Sequence, residues 1–275
     1  MDIQCGRFRL ALTRPLIMGV LNVTPDSFSD GGRFLPPQAA VAHARRLIDE
    51  GADLLDIGGE STRPGAVPVT LDEERSRVLP VLEALAGAGV PLSVDTQKPE
   101  LMREAAAAGA ALINDVSGFE MPDAFAAVAD SGCALCIMHK QGDPQTMQHA
   151  PQYGDVVTDV LDYLRIRVRA ARHADIACDR IIIDPGFGFG KTLEHNFALL
   201  RGLDLIAALG VPVLAGLSRK SMIGAVTGRD VGERVFGSVA AALIAVQRGA
   251  AIVRVHDVAA TRDALAVWNA VNSQN

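Results

Sequence analysis

Residues 181–191, IIIDPGFGFGK, join a short apolar run to an acid, a proline and three glycines spaced two apart. The three isoleucines, bounded by turn-forming residues, predict a strand that is buried on both faces. Asp184 at the end of this strand is costly to bury unless it interacts with a bound group. The glycines would let the backbone lie close to such a group. We therefore expect a binding site at the carboxyl end of this strand.

The composition is that of a protein with a sizeable core and excludes several classes of partner. The 275 residues are 49% apolar and 21% charged, which is typical of a globular chain. The formal net charge of −6 and the aromatic content of 4% argue against a nucleic-acid surface, which needs a basic stripe and stacking platforms. No signal segment or membrane-length apolar run is present, and the four cysteines lack framework spacing. We therefore expect a cytoplasmic protein without nucleic-acid or membrane partners.

Short apolar runs that end in polar residues recur along the chain, separated by stretches with helical spacing. One example is 36–50, in which Ala40, Ala44 and Leu47 share a face and Gly51 marks the helix end. The predicted strands cover 16–21, 53–57, 91–94, 110–113, 134–138, 181–183, 211–217 and 251–255. The predicted helices cover 36–50, 71–86, 99–108, 123–130, 153–173, 194–202, 232–247 and 259–271.

Eight strand–helix units without linkers predict an α/β protein built as a single (β/α)8 barrel, a TIM barrel, over residues 1–275. An open, doubly wound sheet is the alternative. In such barrels the active site lies at the carboxyl ends of the strands. The polar residues of this chain fall at those ends, so the fold and the chemistry agree.

The polar residues at the strand ends divide into two groups by charge. The first group comes from loops one, two and eight, which a closed barrel makes neighbours, and contains Asn22, Arg63, Arg254 and His256. Guanidinium and imidazole groups suit a phosphate or pyrophosphate. Asn22 could offer its carbonyl oxygen to a Mg2+ ion carried by the phosphates, because hard cations prefer oxygen ligands.

The second group lies deeper and contains Asp95, Asn114, Asp184 and Lys220. An ionised Asp184 only accepts hydrogen bonds, which suits an amino group beside a ring N–H. Asn114 both donates and accepts, and Lys220 donates to a carbonyl oxygen or a ring nitrogen. This pattern fits an aminopyrimidinone, the edge that guanine and pterins share. The two groups together predict a heterocycle with a phosphorylated side chain as ligand.

These residues stand in motifs that resemble the dihydropteroate synthase family over about 15–271. The motifs are NVTPDSFSDGG, GGESTRPGA, VDT, NDVSG, DPGFGFGK, SRKS and RVHDV, in this order. The resemblance implies condensation of 6-hydroxymethyl-7,8-dihydropterin pyrophosphate with p-aminobenzoate, which yields 7,8-dihydropteroate and pyrophosphate in folate biosynthesis. It also implies a Mg2+ cofactor, a homodimer and inhibition by sulfonamides. In one departure, Lys140 stands after His139, where the family usually has an apolar residue.

The resemblance also implies a role for each site residue. The pterin site would contain Thr62, Asp95, Asn114, Asp184 and Lys220. The pyrophosphate site would contain Asn22, Arg63, Arg254 and His256, with Asn22 also on the metal. The p-aminobenzoate site would contain Thr62, Pro64, Phe189, Ser218 and Lys220. The catalytic set would be Asp95, Arg63, Lys220, Arg254 and His256, with Asp95 and Asp26 facing a developing pterin cation.

Several patterns have structural interpretations that compete with these roles. Asp56 is interpreted as a structural partner inside the barrel mouth, outside the site, and His139 as structural more than as a base. The spacing of Cys133 and Cys136 is that of a redox motif, but they begin a buried strand and are interpreted as core. Two other functions stay open: methyl transfer from methyltetrahydrofolate to a corrinoid protein, and pterin binding without catalysis.

Overall fold

The structure, a computed structural model, describes residues 1–24, 37–61, 65–143, 146–148 and 150–272. The chain begins with an antiparallel hairpin of β1 (Asp2–Cys5) and β2 (Phe8–Ala11). Gly6 in its turn has a φ of +53°, which glycine adopts without strain. Side chains alternate between the two faces of a strand, so Ile3 and Cys5 share a face, and both are buried. The sequence analysis did not predict this hairpin.

Eight parallel strands form a closed barrel, and their order around it follows the sequence. They are β3 (Leu16–Asn22), β4 (Leu54–Gly58), β5 (Leu92–Asp95), β6 (Leu112–Asp115), β7 (Ala134–Met138), β8 (Ile181–Asp184), β9 (Val213–Ala215) and β10 (Ala250–Val255). The last strand, β10, pairs with both β9 and β3. The predicted (β/α)8 barrel is therefore confirmed over the open sheet, in which the first and last strands would not be joined.

Helices cover the outside of the barrel. They are α1 (Pro37–Asp49), α2 (Leu71–Ala84), α3 (Pro99–Ala107), α4 (Ala124–Val128), α5 (Val156–His173), α6 (Leu193–Arg201), α7 (Leu203–Ala207), α8 (Ser221–Thr227), α9 (Val235–Gln247) and α10 (Val258–Asn272). Two of them, α7 with five residues and α8 with seven, were not predicted, because they are too short to show helical periodicity. Among the helices that the structure describes, none is long and apolar enough to cross a membrane.

The buried apolar side chains form two clusters. The larger one lies between the strands and the surrounding helices. The smaller one fills the amino half of the barrel interior with inward-facing residues such as Met18, Leu54 and Ile182, and Ile3 and Cys5 of the hairpin pack into it. The hairpin therefore closes the amino end of the barrel, and the carboxyl end is where the inward positions become polar.

Cys133 and Cys136 are both buried in this core. Burial raises the pKa of both thiols, which disfavours the reactive thiolate. Their interpretation as core residues is confirmed.

Candidate active site

A row of inward-facing positions crosses four neighbouring strands at the carboxyl end of the barrel. Asn22 of β3 lies beside Gly58 of β4 in the parallel register, and Gly58 lies beside Asp95 of β5. Asp95 in turn lies beside Asn114 of β6. Gly58 has no side chain to fill the space between these residues. A Cβ atom added there would lie 3.6 Å from Asn22 Oδ1 and 3.9 Å from Asp95 Oδ2. The amide of Asn22 and the carboxylate of Asp95 therefore face the same space.

Asp56 is fully buried in β4 and accepts three hydrogen bonds on its carboxylate. Ser93 Oγ donates at 2.5 Å and Asn114 Nδ2 at 3.1 Å. Arg254 Nε donates at 2.6 Å. These contacts agree with the interpretation of Asp56 as a structural partner inside the barrel mouth, where it orients the predicted site residues Asn114 and Arg254. Its position two residues before Gly58 puts it on the inward face of the strand.

Arg254 joins Asp56 to Asp95. Besides its bond to Asp56, its Nη2 donates to Asp95 Oδ2 at 3.2 Å. Burial and the neighbouring negative charge of Asp56 raise the pKa of the Asp95 carboxyl well above its usual value, and the Arg254 charge opposes this rise. The sequence analysis grouped Arg254 with the phosphate ligands and in the catalytic set, and not with the deeper pocket. The structure places it between the two predicted groups, because its guanidinium pairs with carboxylates of the deeper pocket.

Asn114 presents a buried acceptor to the barrel mouth. Its residue is 4% exposed, and its Oδ1 has no hydrogen-bond partner in the described part of the chain. Its Nδ2 already donates to Asp56, which leaves Oδ1 as an acceptor. An unsatisfied buried acceptor costs about 1–3 kcal/mol. A ligand that carries an N–H donor would remove this cost.

Asp184 and Lys220 lie on the opposite side of the barrel mouth. Asp184 is 6% exposed, and its Oδ1 accepts from the backbone N–H of Gly186 at 2.7 Å. Burial raises the pKa of the Asp184 carboxyl, and the charge of Lys220 opposes that rise. Burial also lowers the pKa of Lys220 to about 8, against the charge of Asp184. Gly216 lies between Asp184 and Arg254, since a Cβ atom added to Gly216 would lie 3.9 Å from Asp184 Oδ2 and 3.9 Å from Arg254 Cβ.

Phe189 lies in the glycine-rich loop after β8 and is half-buried. The Nζ atom of Lys220 lies 4.6 Å from the centroid of its ring. The same ammonium group donates a hydrogen bond to the carbonyl oxygen of Phe187. A cation over an aromatic face is a favourable contact, so Lys220 and Phe189 form one wall of the site.

Ser218 and His256 connect the ends of β9 and β10. Ser218 Oγ accepts from the backbone N–H of His256 at 3.2 Å and lies 3.0 Å from His256 Nδ1. Arg219 between the site residues Ser218 and Lys220 has a φ of +57° and pairs with Asp257 through two hydrogen bonds. This pair fixes the loop, so that Ser218 and Lys220 are presented at the barrel mouth.

Some predictions fall outside the described residues. They concern Asp26 of loop one and Thr62, Arg63 and Pro64 of loop two. Their roles stay predictions.

The sequence analysis assigned Lys191 no role. It is 2% exposed, and its Nζ lies 2.9 Å from Nδ1 of His139. His139 is itself buried, with its ring edge-on to Tyr163 at 4.9 Å between centroids. These contacts are consistent with the interpretation of His139 as a structural residue.

Acidic acceptors thus lie beside cationic groups at the carboxyl end of the barrel. A sequence profile of the family described as pterin binding enzyme matches residues 18–256. This range includes all the site residues described above.

Individual relatives agree with this match. The dihydropteroate synthase of Neisseria meningitidis serogroup B is 54% identical over 98% of this chain and 96% of the relative. The structure of Xanthomonas albilineans dihydropteroate synthase with 4-aminobenzoic acid superposes with a TM-score of 0.94 at 55% identity, over 100% of this chain and 99% of the other. The Burkholderia cenocepacia dihydropteroate synthase complexed with 7,8-dihydropteroate gives 0.88 at 57% identity, over 98% and 96%. The chain therefore belongs to the dihydropteroate synthase family.

Proposed function

We infer that the chain is a dihydropteroate synthase, which condenses 6-hydroxymethyl-7,8-dihydropterin pyrophosphate with p-aminobenzoate in folate biosynthesis. The relatives that carry this name support the reaction, as do the 4-aminobenzoic acid and 7,8-dihydropteroate bound in two of them. The observation that carries the inference in this chain is the pocket of buried acceptors around Asn114 Oδ1. A pterin supplies the N–H donors that this pocket needs.

The pterin ring would bind between Asn114 and Asp184. The Asp184 carboxylate accepts from the amino group and the adjacent ring N–H, and Asn114 Oδ1 accepts from a further ring N–H. Lys220 donates to the ring carbonyl oxygen or a ring nitrogen. The bonds that already hold Asp184 and Asn114 orient these acceptors before the ligand arrives, which lowers the entropy cost of binding.

The pyrophosphate would lie towards loops one, two and eight. Arg254, His256 and Asn22 line this side, and Arg63 is predicted to join them. Arg254 donates one hydrogen bond to Asp56 and one to Asp95. Its guanidinium charge can therefore act on a carboxylate and on a phosphate oxygen at the same time. Positive charge at the leaving group lowers the barrier to breaking the carbon–oxygen bond.

Mg2+ carried by the pyrophosphate fits the oxygen atoms of this side. Asn22 Oδ1 and Asp95 Oδ2 face the same space over Gly58, and oxygen is the ligand type that Mg2+ prefers. Asn22 would hold the ion, which when bound neutralises charge on the leaving pyrophosphate.

The reaction would proceed in two steps, and the arylamine forms the new bond in the second. The carbon–oxygen bond to pyrophosphate breaks first and leaves a pterin cation, which Asp95 would face, with Asp26 as a further predicted neighbour. The amine nitrogen attacks the exocyclic methylene carbon and releases one proton to solvent. Phe189, Ser218 and Lys220 would hold the p-aminobenzoate, with Thr62 and Pro64 as further predicted contacts. A sulfonamide that mimics this substrate would compete for the same position.

We further propose that the chain is a cytoplasmic homodimer that associates through α8, α9 and α10. Each of these helices exposes large apolar side chains, with Phe236 88%, Val271 77%, Val267 67% and Val226 65% exposed. Dimerisation would cover them. The charged variant Phe236→Glu should be monomeric by light scattering, and a dimer of unchanged mass would contradict this interface.

All four cysteines are free thiols, which suits a reducing compartment.

The decisive assay is release of pyrophosphate from the dihydropterin substrate with Mg2+, with and without p-aminobenzoate. We expect release that p-aminobenzoate greatly raises, together with formation of 7,8-dihydropteroate. Pterin binding without release under either condition would contradict the inference. Methyltetrahydrofolate and a corrinoid acceptor would then separate a methyltransferase from a protein that only binds pterins.

A further inference from the structure

Lys191 is a buried residue that the proposed reaction does not use, and burial lowers the pKa of its amine well below the usual value. Its Nζ lies 2.9 Å from the carbonyl oxygen of Gly186 and 3.1 Å from that of Phe189. The third neighbour is Nδ1 of His139, at 2.9 Å. All three atoms therefore lie within hydrogen-bond distance of the Lys191 amine. Lys191 is thus held by the glycine-rich loop and by the end of the neighbouring strand.

The glycine-rich loop that Lys191 contacts packs closely against the segment that follows β7. Gly186 and Gly190 have φ values of +69° and +62°. A Cβ atom on Gly186 would lie 1.8 Å from the carbonyl oxygen of His139, and one on Gly190 would lie 2.2 Å from that of Gln141. No larger residue fits between the two segments. The lysine connects them at the same place through the imidazole of His139.

His139 is suited to accept this hydrogen bond. Burial, together with the charge of Lys191, lowers the pKa of the imidazole to about 3. It is therefore neutral at ordinary pH, and Nδ1 accepts when the remaining proton is on Nε2.

Two lysines hold the same loop from different sides. Lys220 donates to the carbonyl oxygen of Phe187, and its Nζ lies 4.6 Å from the ring centroid of Phe189. Lys191 binds the carbonyl oxygen of Phe189 itself. Lys191 thus fixes the backbone of Phe189, and the Phe189 ring faces Lys220.

We propose that Lys191 is a positioning residue for the arylamine, because its hold on the Phe189 carbonyl sets where the Phe189 ring lies relative to Lys220. This inference rests on the proposed function, in which Phe189 and Lys220 hold p-aminobenzoate. On the pterin side, Lys191 reaches Asp184 only indirectly, through Gly186, whose carbonyl oxygen it contacts and whose N–H donates to Asp184. Asp184 and Asn114 themselves are held in the ladders of β8 and β6, which do not involve Lys191. Loss of the Lys191 amine should therefore affect the arylamine more than the pterin.

Arg180, at the other end of β8, provides a matched control. Its guanidinium, like the amine of Lys191, has three hydrogen-bond partners. They are the carbonyl oxygens of Cys133 at 2.8 Å, Ala129 at 2.8 Å and Val128 at 2.9 Å. It lies just before the amino end of the strand, away from the barrel mouth. Lys191→Met and Arg180→Met therefore remove comparable bonds, and only one of them adjoins the proposed arylamine wall.

The test is steady-state kinetics of both variants, with each substrate varied while the other is saturating, together with thermal unfolding. Lys191→Met should raise the KM for p-aminobenzoate about tenfold and leave the KM for the pterin substrate within about twofold. Arg180→Met should lower Tm and leave both KM values unchanged. A Lys191→Met enzyme in which both KM values rise together, or in which only Tm falls, would overturn the proposal.

Variants of His139 keep the test available if Lys191→Met does not fold. His139→Gln retains an acceptor for the Lys191 amine, whereas His139→Leu removes it. The KM for p-aminobenzoate should rise in the leucine variant and remain close to wild type in the glutamine variant, and equal values in the two would overturn the proposal. A wild-type chain that forms no dihydropteroate would instead contradict the proposed function, and the positioning role with it.

Discussion

The two ends of the barrel interior are built from the same strands and filled in opposite ways. Within one step of two residues, the inward side chain changes from apolar to polar in four strands: Leu54 to Asp56, Leu112 to Asn114, Ile182 to Asp184, and Ile252 to Arg254. The amino end is sealed by the hairpin. The carboxyl end contains charged groups whose pKa values are shifted and an acceptor without a partner in the described residues. Each strand thus contributes stability at one end and chemistry at the other.

The largest effect should come from the amino end. Leu54 is fully buried, so Leu54→Ala should lower the free energy of unfolding by about 2–5 kcal/mol through lost burial and a cavity. Urea unfolding measures this change. Leu205→Ala, at a position 57% exposed, is the matched control and should change little. An active-site defect in Leu54→Ala without loss of stability would contradict the division between the two ends.

The next effect concerns the cation at the carboxyl end. Arg254→Ala should reduce kcat about 10²–10³-fold, as does removal of a group that stabilises developing charge, and should weaken pterin binding much less. Initial rates with the pyrophosphate substrate and calorimetry with a pterin separate the two. Arg254→Lys retains the charge but cannot reach Asp56 and Asp95 together, so its rate should lie between. Unchanged turnover in the alanine variant would remove Arg254 from the catalytic set.

A smaller effect is expected for the acceptor of the pterin. Asp184→Asn replaces an acceptor-only carboxylate by an amide, and should weaken pterin binding by about 1.5–3 kcal/mol. Stability should not fall, because burial raises the pKa of this carboxyl and its charged form is costly. Calorimetry and thermal unfolding measure the two quantities. Asp162→Asn, on an exposed position of α5, is the control. Wild-type affinity in Asp184→Asn would contradict the pterin assignment.

The smallest effect follows pH. The pKa of Lys220 is about 8 in the folded protein, below its usual value of 10.5. Between these values the unfolded chain binds a proton that the folded chain has lost, so this group makes stability rise with pH. Pterin affinity should fall over the same range, by up to about tenfold per pH unit, because the charged donor is lost. Subtracting the profiles of Lys220→Met isolates both slopes, and slopes of equal sign would contradict the assignment.

The barrel could be predicted from the sequence because its signals are local. Short apolar runs, helical spacing and residues such as Gly51, whose φ is +102°, mark each strand and helix within a few residues. The hairpin of β1 and β2 was missed because its strands have four residues each and mix charged with apolar side chains. Only their packing against the barrel shows which face is buried.

The candidate site could be predicted less completely. Asn114 and Asp184 stand at strand ends and were found there. Asp56 was interpreted as a structural partner whose contacts were not identified, and Lys191 was given no role. Their contacts are distant in sequence, since Asp56 pairs with Arg254, 198 residues away, and Lys191 contacts His139, 52 residues away. No local pattern contains this information.

The pairing of β10 with β3 has a consequence for how the protein folds. The strand that closes the barrel is the last of its eight strands along the sequence, and it also carries Arg254 and leads into His256. Closure therefore joins the first and last strands of the barrel, a contact of very long sequence separation, which slows folding. A nascent chain that lacks this strand has two open sheet edges and no guanidinium between Asp56 and Asp95. Catalytic competence and a closed barrel must consequently appear in the same late step.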